Sequence, residues 1–240
     1  MALEGCLNFR DLGGYPTREG RHLRWRRLYR SDSLHHLTAA DARHLTERLG
    51  VGVIIDLRST HELDTEGRGP LAGPDRHFHH LPLIDADVSQ SSSLGDEIPL
   101  ADRYFLLARL AVGPLVRACT VLAETEHSAV FYCAAGKDRT GILAALVLAL
   151  LGVDDDTIAA DYALTRTALG AIVERLARSR GYRAMLAALP PDTMSAEPAT
   201  IVGFLARVRE HCGDVETFLA EGGLAAGVTS RLRARLLEEP

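Results

Sequence analysis

Phe131-Tyr132-Cys133-Ala134-Ala135-Gly136-Lys137-Asp138-Arg139-Thr140-Gly141 runs straight into an apolar stretch from Ile142 to Val153. The apolar residues before the cysteine read as the end of a core strand, and those after the arginine as a buried helix. A short glycine-bearing loop joins them. Strand, tight loop and helix N-terminus in this order make a phosphate cradle. Successive backbone N–H groups of such a loop point at phosphate oxygens, and the helix N-terminus behind them favours negative charge. The same field stabilises a thiolate, which makes Cys133 the candidate nucleophile. Arg139 closes the ring, because its planar fork can hold two phosphate oxygens at once. The candidate phosphate-binding residues are therefore Ala134, Ala135, Gly136, Lys137, Asp138 and Arg139.

The spacing withstands a test against chance. With 4 Cys in 240 residues, a cysteine followed six residues later by arginine arises by accident roughly 0.4 times. Leu12, Thr125 and Phe218 stand at that offset from the other three cysteines. Requiring Gly136, Thr140 and Gly141 as well lowers the expectation to roughly 0.0004. Lys137 is the only lysine among 27 basic side chains, the rest being arginine. A compact ammonium there adds a second point charge beside the fork and suits a substrate carrying more than one phosphate. The plainer reading is a solvated surface lysine.

Composition bounds the rest. A chain of 240 residues, 47% hydrophobic and 25% charged, can bury one sizeable core, so a single domain over residues 1–240 is expected. Its net charge of −5 argues against nucleic acid as the main partner. The one basic stretch, Arg18 to Arg30, alternates with Leu23, Trp25, Leu28 and Tyr29. It reads as an edge strand with an arginine face, or as a rim that attracts anionic substrate or lipid head groups. Four scattered cysteines make no disulfide framework. A nucleophilic thiolate suits a reducing compartment, so a cytoplasmic location is expected. Met1 to Leu7 is short and carries Glu4, unlike a signal peptide, and the longest apolar run is too short to span a bilayer.

Alternation predicts a strand over 22–30. Thr38 and Asp41 have capping-box spacing for a helix ending near Leu49, with Gly50 as its stop. Val51–Leu57 is a continuous apolar run suited to a central parallel strand. His77–Leu83 is a further strand, and 86–99 reads as a polar loop. Leu100–Glu124 has helical periodicity with Pro114 as a break. Ala129–Cys133 is the last core strand, and Thr140–Leu151, apolar on every face, is a buried helix. Asp154–Asp156 caps the next helix, and the remainder is helical with loops near Pro190–Pro191, Pro198 and Gly213. The fold expected is α/β in three layers, with a mostly parallel sheet of four or five strands and helices on both faces.

A second motif stands far from the first: Asn8-Phe9-Arg10-Asp11-Leu12-Gly13-Gly14. Together with Cys133-x-x-Gly-Lys-Asp-Arg-Thr-Gly141 it resembles the cysteine-dependent tyrosine phosphatases, in particular their bacterial tyrosine/serine group. Leu28-Tyr29-Arg30-Ser31-Asp32, Ile55-Asp56-Leu57-Arg58 with Glu62, and Asp161-Tyr162 are further similar pieces. The resemblance implies hydrolysis of phosphomonoesters, with phosphotyrosine proteins as the main substrate and phosphoserine, phosphothreonine and phosphoinositides as further ones. One departure stands out. Tyr132 occupies the place of the histidine that supports the loop in that family, so the alternative is a weakly active or non-catalytic phosphate-binding module.

Such a reaction needs a proton donor for the leaving oxygen. The resemblance implies Asp85, just after the strand end at Pro82-Leu83-Ile84, with Asp87 and Asp138 as rivals. Thr140 is expected to donate its hydroxyl to the Cys133 sulfur, to cap the following helix, or both. Asn8, Arg10 and Asp11 read as braces for the floor of the site, Gly13–Gly14 as a turn, and Arg58 with Glu62 as a local ion pair. Strand alternation separates His80 from His77 and His79, so these do not read as a metal site. No metal or cofactor is expected.

Overall fold

The computed structural model describes residues 3–71, 73, 77–84, 98–179, 182, 183, 186 and 194–238. Arg10–Asp11 (β1), Leu28–Ser31 (β2), Val51–Asp56 (β3), His77–His80 (β4) and Ser128–Tyr132 (β5) form one sheet in the order β1-β2-β5-β3-β4. β1 is antiparallel to β2, and every other pairing is parallel. Period-two alternation sends Val53, Ile55, Ala129 and Phe131 to one face and Ile54, Val130 and Tyr132 to the other. Both faces are covered, which is why these strands are continuous apolar runs with no polar side.

The helices are α1 (Ala39–Arg43), α2 (Thr60–Glu66), α3 (Leu100–Leu110), α4 (Val112–Glu124), α5 (Asp138–Leu150), α6 (Asp155–Ala163), α7 (Arg166–Arg178), α8 (Pro198–Cys212), α9 (Val215–Glu221) and α10 (Val228–Leu236). α5 is the hub of the larger layer: every residue from Arg139 to Leu148 is buried. On the other face, Leu34, Leu45 and Leu49 cover Ile54 and Val130. The α/β, mostly parallel architecture is the one the sequence leads one to expect.

Particular elements differ from expectation for identifiable reasons. The strand expected over 22–30 forms only from Leu28, because Arg26 adopts φ +61 and interrupts the extended backbone. Before it, Pro16 pairs with His22 and Leu23 with Leu237 as isolated bridges. The helix expected to Leu49 does have the Thr38–Asp41 capping box, but after Arg43 it loosens into a π turn over His44–Arg48. β4 ends at His80, ahead of Pro82. The break between α3 and α4 falls at Ala111, with a bend of 77°, whereas Pro114 sits in the first turn of α4, where a missing N–H costs nothing. Pro198 likewise opens α8. Asp154 caps α6 by accepting from the Thr157 N–H at 2.9 Å. No single described helix is long and apolar enough to cross a membrane; α3 and α4 together reach that length only across their bend.

The register makes Ser31, Asp56 and Tyr132 level at the carboxyl ends of three neighbouring strands. Whatever follows Tyr132 emerges where ligands bind in open parallel sheets.

Candidate active site

Cys133 follows β5 directly and is 2% exposed. The chain then turns on Gly136 at φ +66, where a Cβ would lie 2.4 Å from the Ser31 carbonyl oxygen and 2.6 Å from the Asp32 nitrogen. Only glycine fits there. Three consecutive carbonyls of this turn are tied to its surroundings. Ala134 O accepts from the Ser33 N–H at 3.1 Å. Ala135 O and Gly136 O accept from Asn8 Nδ2 at 3.1 and 3.2 Å, and Gly136 O also from Arg30 Nη2 at 2.7 Å. In a planar trans peptide the N–H lies opposite the carbonyl, so tying these carbonyls outward turns the N–H groups of Ala135, Gly136 and Lys137 to the concave side. α5 begins immediately after, and no side chain caps it. Its first N–H groups join the same concavity, and the helix dipole adds to their field.

Arg139 in the first turn of α5 is gripped by Glu62 through both guanidinium Nη atoms, Nη2 to Oε1 at 2.9 Å. Glu62 is itself fixed, since it closes the capping box of α2 with Ser59. Burial pushes the Glu62 carboxyl up, but Arg139, together with the hydrogen bonds from Ser59, outweighs burial and holds it at about 2. Burial likewise opposes the charge on Arg139, yet Glu62 and Cys133 keep it firmly protonated. The expected Arg58–Glu62 pair is therefore corrected: Arg58 pairs with Asp56, Nη2 to Oδ2 at 2.6 Å.

The N-terminal motif braces the cradle from beneath. Arg10 Nε donates to Asp161 Oδ1 at 2.7 Å, and its Nη1 to Asn8 Oδ1 at 2.6 Å, which aims the Asn8 amide at the loop. Arg30 spans Asp161 and Gly136 O. Asp161 thus collects Arg10, Arg30 and the Tyr15 hydroxyl. Asp11 does not join this floor. It accepts from the Gly13 and Arg26 N–H groups and fixes the turn between β1 and β2.

Lys137 is neither solvated nor free to meet a second phosphate. It is 1% exposed, with Nζ donating to Ser195 O at 2.8 Å and paired with Asp138 at 3.0 Å. Asp138 also accepts from the Tyr104 hydroxyl at 2.5 Å, and that hydroxyl meets Tyr162's at 2.7 Å. Thr140 is fully buried, and its hydroxyl has no hydrogen-bond partner among the described residues. It bonds neither the Cys133 sulfur nor the start of α5. Asp85 and Asp87 lie outside the described residues.

Tyr132 points to the opposite face of β5 from Cys133. Its hydroxyl donates to Asp56 Oδ2 at 2.6 Å, and its ring lies 5.2 Å from the Arg58 guanidinium. Burial, with Asp56 beside it, keeps the phenol neutral. Tyr182, which sequence reasoning passed over, is 1% exposed and packs with Ala134, Ile172 and Leu176. Burial, and then Glu62, hold its phenol neutral too, against the nearby Arg58 and Arg139. Among the described residues no group of three or more His, Cys, Asp or Glu is placed to hold a metal ion.

The loop, fork and floor agree with what comparison finds. The pattern of the tyrosine phosphatase family matches residues 1–238. The triple specificity protein phosphatase PtpB of Mycobacterium tuberculosis is 30% identical over 98% of both chains. A Cupriavidus necator protein named as a tyrosine-protein phosphatase is 33% identical over 68% of this chain, which spans 61% of that relative's length. A tyrosine-protein phosphatase of Nostoc commune is 33% identical over 57% of this chain and 47% of its own. With a cradle built from both motifs and a likeness running end to end, the chain belongs to the tyrosine phosphatase family, as a protein-tyrosine phosphatase.

Proposed function

We propose that this phosphatase works through a covalent cysteinyl phosphate and that phosphotyrosine in proteins is its main substrate. The observation that carries the reading is the set of outward-tied carbonyls behind Cys133, which turns three loop N–H groups and the uncapped end of α5 toward one concavity. In the first step the Cys133 thiolate attacks phosphorus and the bond to the tyrosyl oxygen breaks. The departing oxygen takes a proton from a carboxylic acid. Asp85 is the proposed donor and Asp87 a rival; Asp138, already held by Lys137 and Tyr104, is the weaker candidate. In the second step water attacks the phosphorus, the S–P bond breaks, and thiolate and inorganic phosphate leave. The Thr140 hydroxyl, unpartnered among the described residues, is available to stabilise the departing sulfur. Arg139 and the loop N–H groups stabilise the transferring phosphoryl in both steps.

The name of the Mycobacterium tuberculosis relative carries three specificities, which supports phosphoserine, phosphothreonine or phosphoinositide as further substrates here. Lys137 lends the phosphoinositide reading nothing, because its ammonium is spent on Ser195 and Asp138. A reduced thiol suits a cytoplasmic setting. Cys133→Ser should abolish turnover of p-nitrophenyl phosphate while phosphotyrosine peptide still binds, and mass spectrometry of quenched wild type should find phosphate on Cys133. Residual hydrolysis above about one per cent of wild type would place the nucleophile elsewhere. Absence of vanadate-sensitive turnover in the wild type would leave a non-catalytic phosphate-binding module.

A further inference from the structure

The basic stretch before β2 takes no part in the cradle. Arg21 and Arg24 precede Leu28, at the end of the parallel strands opposite the cradle, which follows Tyr132. With Ser230, Arg233 and Ala234 of α10 they line a solvent-open recess of about 430 Å³. What holds these guanidiniums is mostly uncharged. Arg21 donates to the Glu238 carbonyl, Nε at 2.8 Å; Arg24 Nε donates to the Leu237 carbonyl at 2.7 Å; Arg233 Nη1 donates to the Leu150 carbonyl at 3.3 Å. Among the described residues one carboxylate meets them, Glu19 on Arg233. Three arginines fixed in place by main-chain carbonyls and offset by one acid leave an excess of positive charge around an open recess wide enough for a phosphate group. The Arg24 Nη groups have no partner among the described residues, and the exposed Ser230 hydroxyl adds a donor at the rim.

We propose that this recess is a second anion site, one that binds a phosphate-bearing ligand through Arg21, Arg24, Arg233 and Ser230. Arginine forks prefixed at their base recognise phosphate bidentately with little further ordering. Leu150, whose carbonyl Arg233 meets, is the last residue of α5, while the cradle lies at that helix's first turn. The two sites are thus about 20 Å apart, the length of a 13-residue helix. The same chemistry could come from a soluble phosphate ester or from a lipid head group.

Trp25 follows Arg24, is the chain's single tryptophan and is 61% exposed, so its fluorescence reports on this end of the molecule without any need for turnover. Inositol hexakisphosphate and vesicles containing phosphatidylinositol phosphates are titrated into the wild type, Arg24→Gln and Ser230→Glu. Arg24→Gln keeps a donor for the Leu237 carbonyl but removes the charge, and Ser230→Glu puts a carboxylate on an exposed position at the rim. The expected result is a binding component weakened by about tenfold or more in Arg24→Gln and lost in Ser230→Glu, with melting and p-nitrophenyl phosphate hydrolysis unchanged. If only the soluble probe shows that component, the ligand is a free phosphate ester. If vesicles show it, the source is a lipid head group. Binding that survives intact in both variants, or no binding of either probe to the wild type, overturns the proposal.

Discussion

Residue 132 tests how far the identity of one side chain matters to the proposed nucleophile beside it. Strand alternation carries Tyr132 away from the Cys133 sulfur, and its hydroxyl is spent on Asp56, below Arg58. Its task in this structure is to complete a buried Asp56–Arg58 pair. Tyr132→Phe removes one donor from a buried carboxylate that still has Arg58, which should cost about 1–3 kcal/mol of stability. The pH dependence of Cys133 alkylation by iodoacetamide should stay where it is, because no charge near the sulfur changes. Denaturant melts and alkylation curves measured on both proteins decide this; a displaced alkylation curve with unchanged stability would mean that residue 132 acts on the thiolate. Cys133, Gly136 and Arg139 were legible because loop and helix start are contiguous in the chain. The partner of Arg139 was not, since Glu62 lies 77 residues away and nothing in the sequence distinguishes it from a neighbour of Arg58. Tyr182 left no signal at all: one tyrosine in a polar segment becomes a cover only when the chain folds back on Ala134.

At the scale of elements, the cradle is shaped less by its own residues than by what ties its carbonyls. Asn8 holds two of them with a single amide and is aimed by Arg10, which Asp161 anchors in turn. Asn8→Ala should free the Ala135 carbonyl to rotate, while Gly136 O stays tied to Arg30. The concave N–H groups would then spread, with affinity for vanadate and kcat each falling about tenfold or more, as when a preorganised donor is lost. Thermal unfolding and vanadate inhibition distinguish this from collapse of the fold; a variant that melts lower but inhibits normally would show that Asn8 supports stability and not loop geometry. The motif around Asn8 could be noticed in the sequence, but its target could not. The pairing depends on the antiparallel placement of β1 at the sheet edge, and two residues of strand carry too little pattern to announce it. The bend at Ala111 was misplaced onto Pro114 for a related reason. A proline marks a break only inside a helix, and packing put this one in a first turn.

For the whole molecule, the buried charges predict an acid response with two windows. Burial pushes the His35 imidazole down from 6.5 to about 3, with His36, Arg58 and Arg175 adding to the effect. Its folded pKa lies below the unfolded one, so the unfolded chain takes up the proton more readily. Stability from this group is complete above 6.5 and is lost as pH falls toward 3. Glu62 acts lower. Its pKa is depressed from 4.5 to about 2, mainly by Arg139 against the opposing effect of burial. The stability it brings is present above 4.5 and is lost as pH falls toward 2. Thermal melts from pH 7 to pH 2 should therefore show a gradual loss beginning near 6 and a steeper one below 4.5. His35→Gln should shrink the first window, to which the lowered His36 and His79 also contribute, and leave the second. Glu62→Gln should do the reverse, starting roughly 3 kcal/mol less stable at neutral pH because it leaves the buried Arg139 without its counter-charge. Glu62→Gln should also slow turnover, since an unheld Arg139 meets phosphate in fewer orientations. If its melts below pH 4.5 run parallel to those of the wild type, the Glu62–Arg139 pair does not govern acid stability, and the fork is held by something other than its carboxylate.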